Sequence, residues 1–312
     1  MSMSTLELAQ QNPVVDAVPP KPTVGEQLKR FFKNEWNRLT RHPFSALVRI
    51  LCRLAMAITV FSLLYLIGDI LVKGIPNLKP ELFSLNYTTD NQSMLPSLIN
   101  TLIITVLALV VAIPLGVGGA IYLAEYAKRN SKVVRLIRVT AETLSGIPSI
   151  IYGLFGMMCF VNALGLKLSL LSGALTLALM VLPLILRTTE EALLSVPDSY
   201  REGSFGLGAG KLRTVMKIVL PPAMPGILSG IVLAIGRIVG ETAALLYTTG
   251  TVAKLPENIL SSGRTLSLHM YVLSGEGLYI GEAYATAVVL LLFVLAMNGL
   301  STLISKKIGG KA

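Results

Sequence analysis

The chain has 312 residues, 53% hydrophobic and only 14% charged, where a soluble domain carries about 25% charged residues. Mean hydropathy is +0.69, more apolar side chain than a water-facing surface leaves room for. The net charge is +10, but the basic residues flank apolar runs rather than forming one patch, which argues against a nucleic-acid binder.

In chain order, residues 1–46 are polar, contain Pro13, Pro19, Pro20 and Pro22, and then turn basic, as in a disordered tail leading into a short amphipathic helix. The start of the sequence does not read as a cleavable signal peptide, and none is expected there. Six apolar runs follow, at 54–72, 98–123, 144–164, 168–187, 225–249 and 283–305. Each approaches the roughly 20 residues needed to cross a bilayer, and none alternates as a barrel strand would. An all-α membrane domain over 47–312 is expected, because only helices and closed barrels satisfy the backbone in lipid. Pro114 with its glycines is expected to break the second run, Gly146 and Pro148 to loosen the third, and Pro183 to lie late in the fourth.

Lysine and arginine are distributed unevenly about these runs. Twenty-one lie before the first, between the second and third, between the fourth and fifth, and after the sixth. Five lie on the opposite side. The positive-inside rule then predicts cytoplasmic termini. Cys52 and Cys159 sit in apolar surroundings, and with only two histidines no metal site is expected. No cofactor is expected either.

Arg237 is the one basic residue in the interior of a run, the thirteenth residue of 225–249, hence about 18 Å from its start. Glu241 is four residues on, so a continuous helix would put both on one face. A central Arg costs roughly 2.5–3.5 kcal/mol on insertion scales, so the pair should face protein or water. It is either a self-neutralising structural pair or the lining of a polar path. A guanidinium suits an oxyanion because its planar fork donates paired hydrogen bonds. Arg187 either snorkels to the interface or lines the same path lower down, while Asp69 and Glu142 lie at interfaces.

Residues 188–222 form a long patterned loop. Asp198 after Pro197 is a good N-cap for a short helix, Gly206, Gly208 and Gly210 make a break, and Leu212–Leu220 forms a second amphipathic segment ending at Pro221 and Pro222. Gly208-Ala-Gly-Lys211 is not a phosphate-binding loop, because Phe205 and Leu212 stand where that motif needs Gly and Ser or Thr. The chain is therefore expected not to be an enzyme, and any ATP hydrolysis belongs to another polypeptide.

The loop resembles the cytoplasmic signature of ABC importer permeases, E-A-A-x3-G-x9-I-x-L-P. Glu202, Gly203, Ser204, Gly208, Ile218, Leu220 and Pro221 stand at its positions, with Gly203 and Ser204 replacing two alanines. Residues 187–190, 233–246 and 145–156 are further similar to phosphate permeases, closer to the PstA type than to its sister PstC, and the similarity covers about 55–305. The resemblance implies a six-helix type I importer permease in a bacterial inner membrane, with 188–222 as a coupling helix. It implies a homodimeric ATPase subunit, a second PstC-like permease, an extracytoplasmic phosphate-binding protein, and a phosphate path through Arg237, Glu241 and Arg187. The outer segment 250–282, with Arg264 and Glu276, is the expected docking region for the binding protein. Sulfate, molybdate or phosphonate as cargo, and an ion-driven transporter, are the competing readings.

Overall fold

A computed structural model describes residues 43–128 and 131–309. The tail expected before residue 43 and the last three residues lie outside the described residues. The described residues are helical, with no strand among them. Two units divide the chain between Leu66 and Ile67. In the first, the described part is the start of helix α1 (Pro43–Gly74), whose large apolar side chains from Phe44 to Leu66 are exposed. A helix apolar on every side suits lipid rather than water.

The second unit contains α2 (Leu95–Ile121), α3 (Lys132–Ser145), α4 (Ser149–Gly156), α5 (Leu170–Leu194), α6 (Asp198–Gly206), α7 (Lys211–Thr214), α8 (Leu220–Val239), α9 (Ala243–Leu246), α10 (Leu266–Glu276) and α11 (Ile280–Gly309). α5 is its centre, packed against α2, α3, α4 and α8. Two-thirds of its apolar stretch is buried, against one-third of that in α2 and in the α7–α8 run. Ile104 and Ala108 from α2, Leu177, Val181 and Ile185 from α5, and Ala234 and Ile238 from α8 share one core.

Among the described residues, five helices are long and apolar enough to cross a membrane, and a bent pair makes a sixth if it is one span. The third expected span is not one straight helix. α3 and the stretch Ser149–Ala163 meet at 102°. Gly146 ends α3, and Pro148 lacks an N–H and disfavours helical geometry at Ile147, so the chain turns there. Pro114, by contrast, does not break the second span. α2 is continuous through it, because one lost bond among 27 residues leaves helix the best-satisfied backbone in an apolar medium.

The fifth span also departs from expectation. It starts upstream, since α7 passes through a π-helical turn (Val215–Val219) directly into α8. Pro221 and Pro222 therefore lie inside a continuous helical run, just after its π-helical turn, rather than ending a segment. It also ends early, at Gly240, and restarts as α9. α5 and α8 run antiparallel at close range: a Cβ on Gly226 would meet Ala192, and one on Gly230 would meet Thr188. Only glycine permits that approach.

Candidate functional site

At one end of the second unit, α6, the turn 207–210 and α7 form a knob. Gly208 has φ +81, which an L side chain rarely adopts, so this signature glycine is demanded by the turn. Ser204 and Thr214 hydroxyls lie 2.8 Å apart and tie α6 to the start of the α7–α8 run. Gly203, Ser204, Gly208 and Ile218 line one groove of about 460 Å³. Leu207, 92% exposed, lines it together with basic Arg213 and Lys217, and Leu212 at the start of α7 is 68% exposed. Glu202 is exposed on α6, while Leu220 and Pro221 are partly buried where α8 begins. Pro197, not Asp198, occupies the N-cap of α6. Asp198 sits in the first turn, where its charge complements the helix dipole.

The knob is held by a residue the motif does not contain. Arg201 Nη2 donates to Glu125 Oε1 at 2.7 Å and to the Leu193 carbonyl at 2.9 Å, and Nη1 donates to the Val196 carbonyl at 2.7 Å. Both charged side chains are largely buried, at 13% and 7% exposure. The Glu125 carboxylate holds the Arg201 pKa above its ordinary value. Glu125 follows α2 in a π-helical turn, 76 residues before Arg201, and no local pattern could link the two.

At middle depth the structure separates Arg237 from Glu241. The Gly226–Ala192 and Gly230–Thr188 contacts set an antiparallel register that puts Arg237 level with about Val181, the twelfth of α5's 25 residues. Arg237 is therefore central, as expected, but lies in the last turn of α8, where a cation complements the helix dipole. It opens into a groove of about 660 Å³ with Leu184 of α5, Ser229 and Leu233 of α8, and Asn298 of α11. Among the described residues no carboxylate lies within ion-pair distance of it.

Glu241 lies past the break and points elsewhere. Its side chain is buried, and Oε1 accepts from the Ala244 amide at 3.1 Å, capping α9. Its carbonyl accepts from the Ser267 hydroxyl at 2.6 Å. The expected meeting of the two charges fails because Gly240 ends the helix between them, so four residues no longer make one turn.

Arg187 shares neither place. It is 52% exposed near the end of α5, with Glu191 at 3.0 Å and Glu142 at 3.5 Å. Beside it Arg138 of α3 reaches Glu190 at 2.6 Å. Leu184, one turn earlier on α5, lines the Arg237 groove.

The expected docking segment 250–282 contains α10, whose Leu268, His269 and Leu273 are buried. Arg264 is itself only 3% exposed, so the outer segment is partly an interior element.

Residues 112–310 match the family model described as the binding-protein-dependent transport system inner membrane component. A probable ABC transporter permease protein, YqgI of Bacillus subtilis, is 36% identical over 283 residues, 82% of this chain and 94% of that one. The phosphate transport system permease protein PstA of Haemophilus influenzae is 33% identical over 262 residues, 83% of this chain and 92% of that one. A solved bacterial alginate ABC transporter complex shares the fold, with TM-score 0.65 at 14% identity over 88% of this chain and 98% of that one. The helical membrane architecture, the signature-bearing knob and these similarities together place the chain in the family of binding-protein-dependent transport system inner membrane components, as an ABC importer permease.

Proposed function

We propose that the chain is the PstA-like permease subunit of a phosphate importer in a bacterial cytoplasmic membrane, with both termini in the cytoplasm. One observation carries the anion assignment. Arg237 is a central cation that opens into a groove and has no described carboxylate partner. Facing lipid there would cost roughly 2.5–3.5 kcal/mol, so a second permease and a polar path are needed to cover it. A guanidinium so placed offers its fork to a tetrahedral oxyanion. Similarity to phosphate permeases supports phosphate as the oxyanion.

Glu241 contributes from behind, by capping α9 and so holding the helix break that presents Arg237 at a helix end. Arg187 stands at the inner mouth, where Glu142 and Glu191 weaken its hold on a departing anion. The apolar, basic-flanked knob is the seat for a homodimeric ATPase subunit, which supplies the hydrolysis. A PstC-like permease completes the path, and an extracytoplasmic binding protein delivers phosphate to the opposite face.

Uptake of radiolabelled phosphate in cells lacking the chain, with and without its re-expression, tests the assignment. Restored uptake that excess sulfate does not compete away is expected. Restored sulfate uptake instead would move the cargo to another oxyanion, and uptake persisting without ATP would remove the ABC mechanism.

A further inference from the structure

A polar cluster is buried at the end of the second unit opposite the knob. Arg264 lies with its guanidinium carbon 4.9 Å from the centre of the Tyr87 ring. Tyr87 meets His269 edge-on at 6.3 Å and donates to Gln92 Oε1 at 2.9 Å. The Gln92 carbonyl is 3.3 Å from His269 Nε2. Asn100 Nδ2 donates to the Arg264 carbonyl at 3.2 Å. Five side-chain atoms here are buried without a partner: Arg264 Nε and Nη2, His269 Nδ1, Asn100 Oδ1 and Ser97 Oγ.

Arg264 is the costly member. A buried cation is ordinarily paired, and here no described carboxylate lies within ion-pair distance. Exposed Glu276 reaches it only as a longer-range field. Stacking on Tyr87 occupies the guanidinium's face. The orphaned Nε and Nη2 donors lie in its plane, so the stack cannot satisfy them. His269 adds no second positive charge, since burial and Arg264 hold its pKa down at about 3.

We infer that a small inorganic anion is held in the plane of the Arg264 guanidinium by Nε and Nη2. Water completing the anion's shell donates one hydrogen to the anion and the other to Asn100 Oδ1 or His269 Nδ1, which removes the orphaned acceptors as well. Such an ion ties the start of α2 to the entry of α10. This site is distinct from the Arg237 groove and does not depend on which oxyanion is transported.

Melting of the purified full-length chain in detergent is followed as chloride, bromide or phosphate replaces gluconate at constant ionic strength. The midpoint is expected to rise by several degrees with the logarithm of anion concentration, because a ligand that binds only the folded state stabilises it. A bromide derivative should show an anomalous peak beside Arg264. Response to chloride and bromide marks a resident structural ion, and response to phosphate alone marks an outer station of the cargo; both sustain the site. In Arg264→Gln the anion dependence should vanish, but the titration and the bromide map need no variant. Superimposed wild-type melting curves, or a map with only water beside Arg264, overturn the anion.

Discussion

The arginines at the two ends of this permease live differently. At the knob end, Arg201, Arg138 and Arg187 each have a carboxylate within 3.0 Å. At middle depth and beyond, Arg237 and Arg264 have no carboxylate within ion-pair distance among the described residues, although both are removed from water wholly or in part. Arg201 and Arg138 finish their electrostatics inside the chain and hold helices together, whereas half-exposed Arg187 is tied only to exposed Glu142 and Glu191. Unpaired arginines leave theirs unfinished, and something outside the chain must complete it.

The comparison breaks most visibly at Arg201. Arg201→Ala strands the buried Glu125 carboxylate and should cost roughly 3–5 kcal/mol, seen as a lower melting midpoint and loss of co-purifying ATPase. If Arg201→Ala melts like wild type, the paired class is not structural. Arg237→Gln should do the reverse. Phosphate uptake should fall about 100-fold, the loss of about 2.7 kcal/mol of charge-assisted binding, with insertion and assembly intact. Failed assembly instead would return Arg237 to a structural role.

Gly208→Ala tests whether the knob's turn transmits force. A residue with a Cβ at φ +81 costs roughly 1–2 kcal/mol, so ATPase binding should weaken while the membrane helices stay folded. Pull-down of the ATPase subunit with the variant measures this.

His269 sharpens the outer half of the comparison. Its folded pKa of about 3 lies below the ordinary 6.5, so between those values the unfolded chain binds the extra proton. The stability contributed by neutral His269 is present above pH 6.5 and should fall by up to about 1.4 kcal/mol per pH unit on acidification towards 3. Melting of wild type against His269→Gln over pH 4–7 isolates that slope.

The smallest effect belongs to Gly203. A Cβ there meets nothing within 4 Å, so Gly203→Ala should raise stability by up to about 1 kcal/mol through helix propensity and leave uptake unchanged. Thermal denaturation with an uptake assay checks both halves.

Much of the architecture was legible from residue order because it is local. An apolar run of 20 residues has few alternatives to a membrane helix. The knob was legible because its glycine, its small residues and its apolar edge recur at set spacing. Even the departures had local marks: Gly146 and Pro148 signalled a loosened third span, though not a turn of 102°. What residue order could not supply were the events joining distant segments. Glu125 finds Arg201 only because α2 and α5 end side by side, and Tyr87, Asn100, Arg264 and His269 meet only after the chain has returned to α2.

The charged pair of the fifth span shows the division most sharply. Residue order alone puts a cation at middle depth, because hydrophobicity sets the depth of a helix and the helical rise is fixed. That Glu241 is not its partner follows from the folded chain. Three residues at the end of α8 leave the helix, α9 takes Glu241 as its cap, and Arg237 is left facing a groove whose neighbours come from α5 and α11. Hydrophobic periodicity reports which residues leave water. Which charges then meet depends on where helices break and which of them pack together.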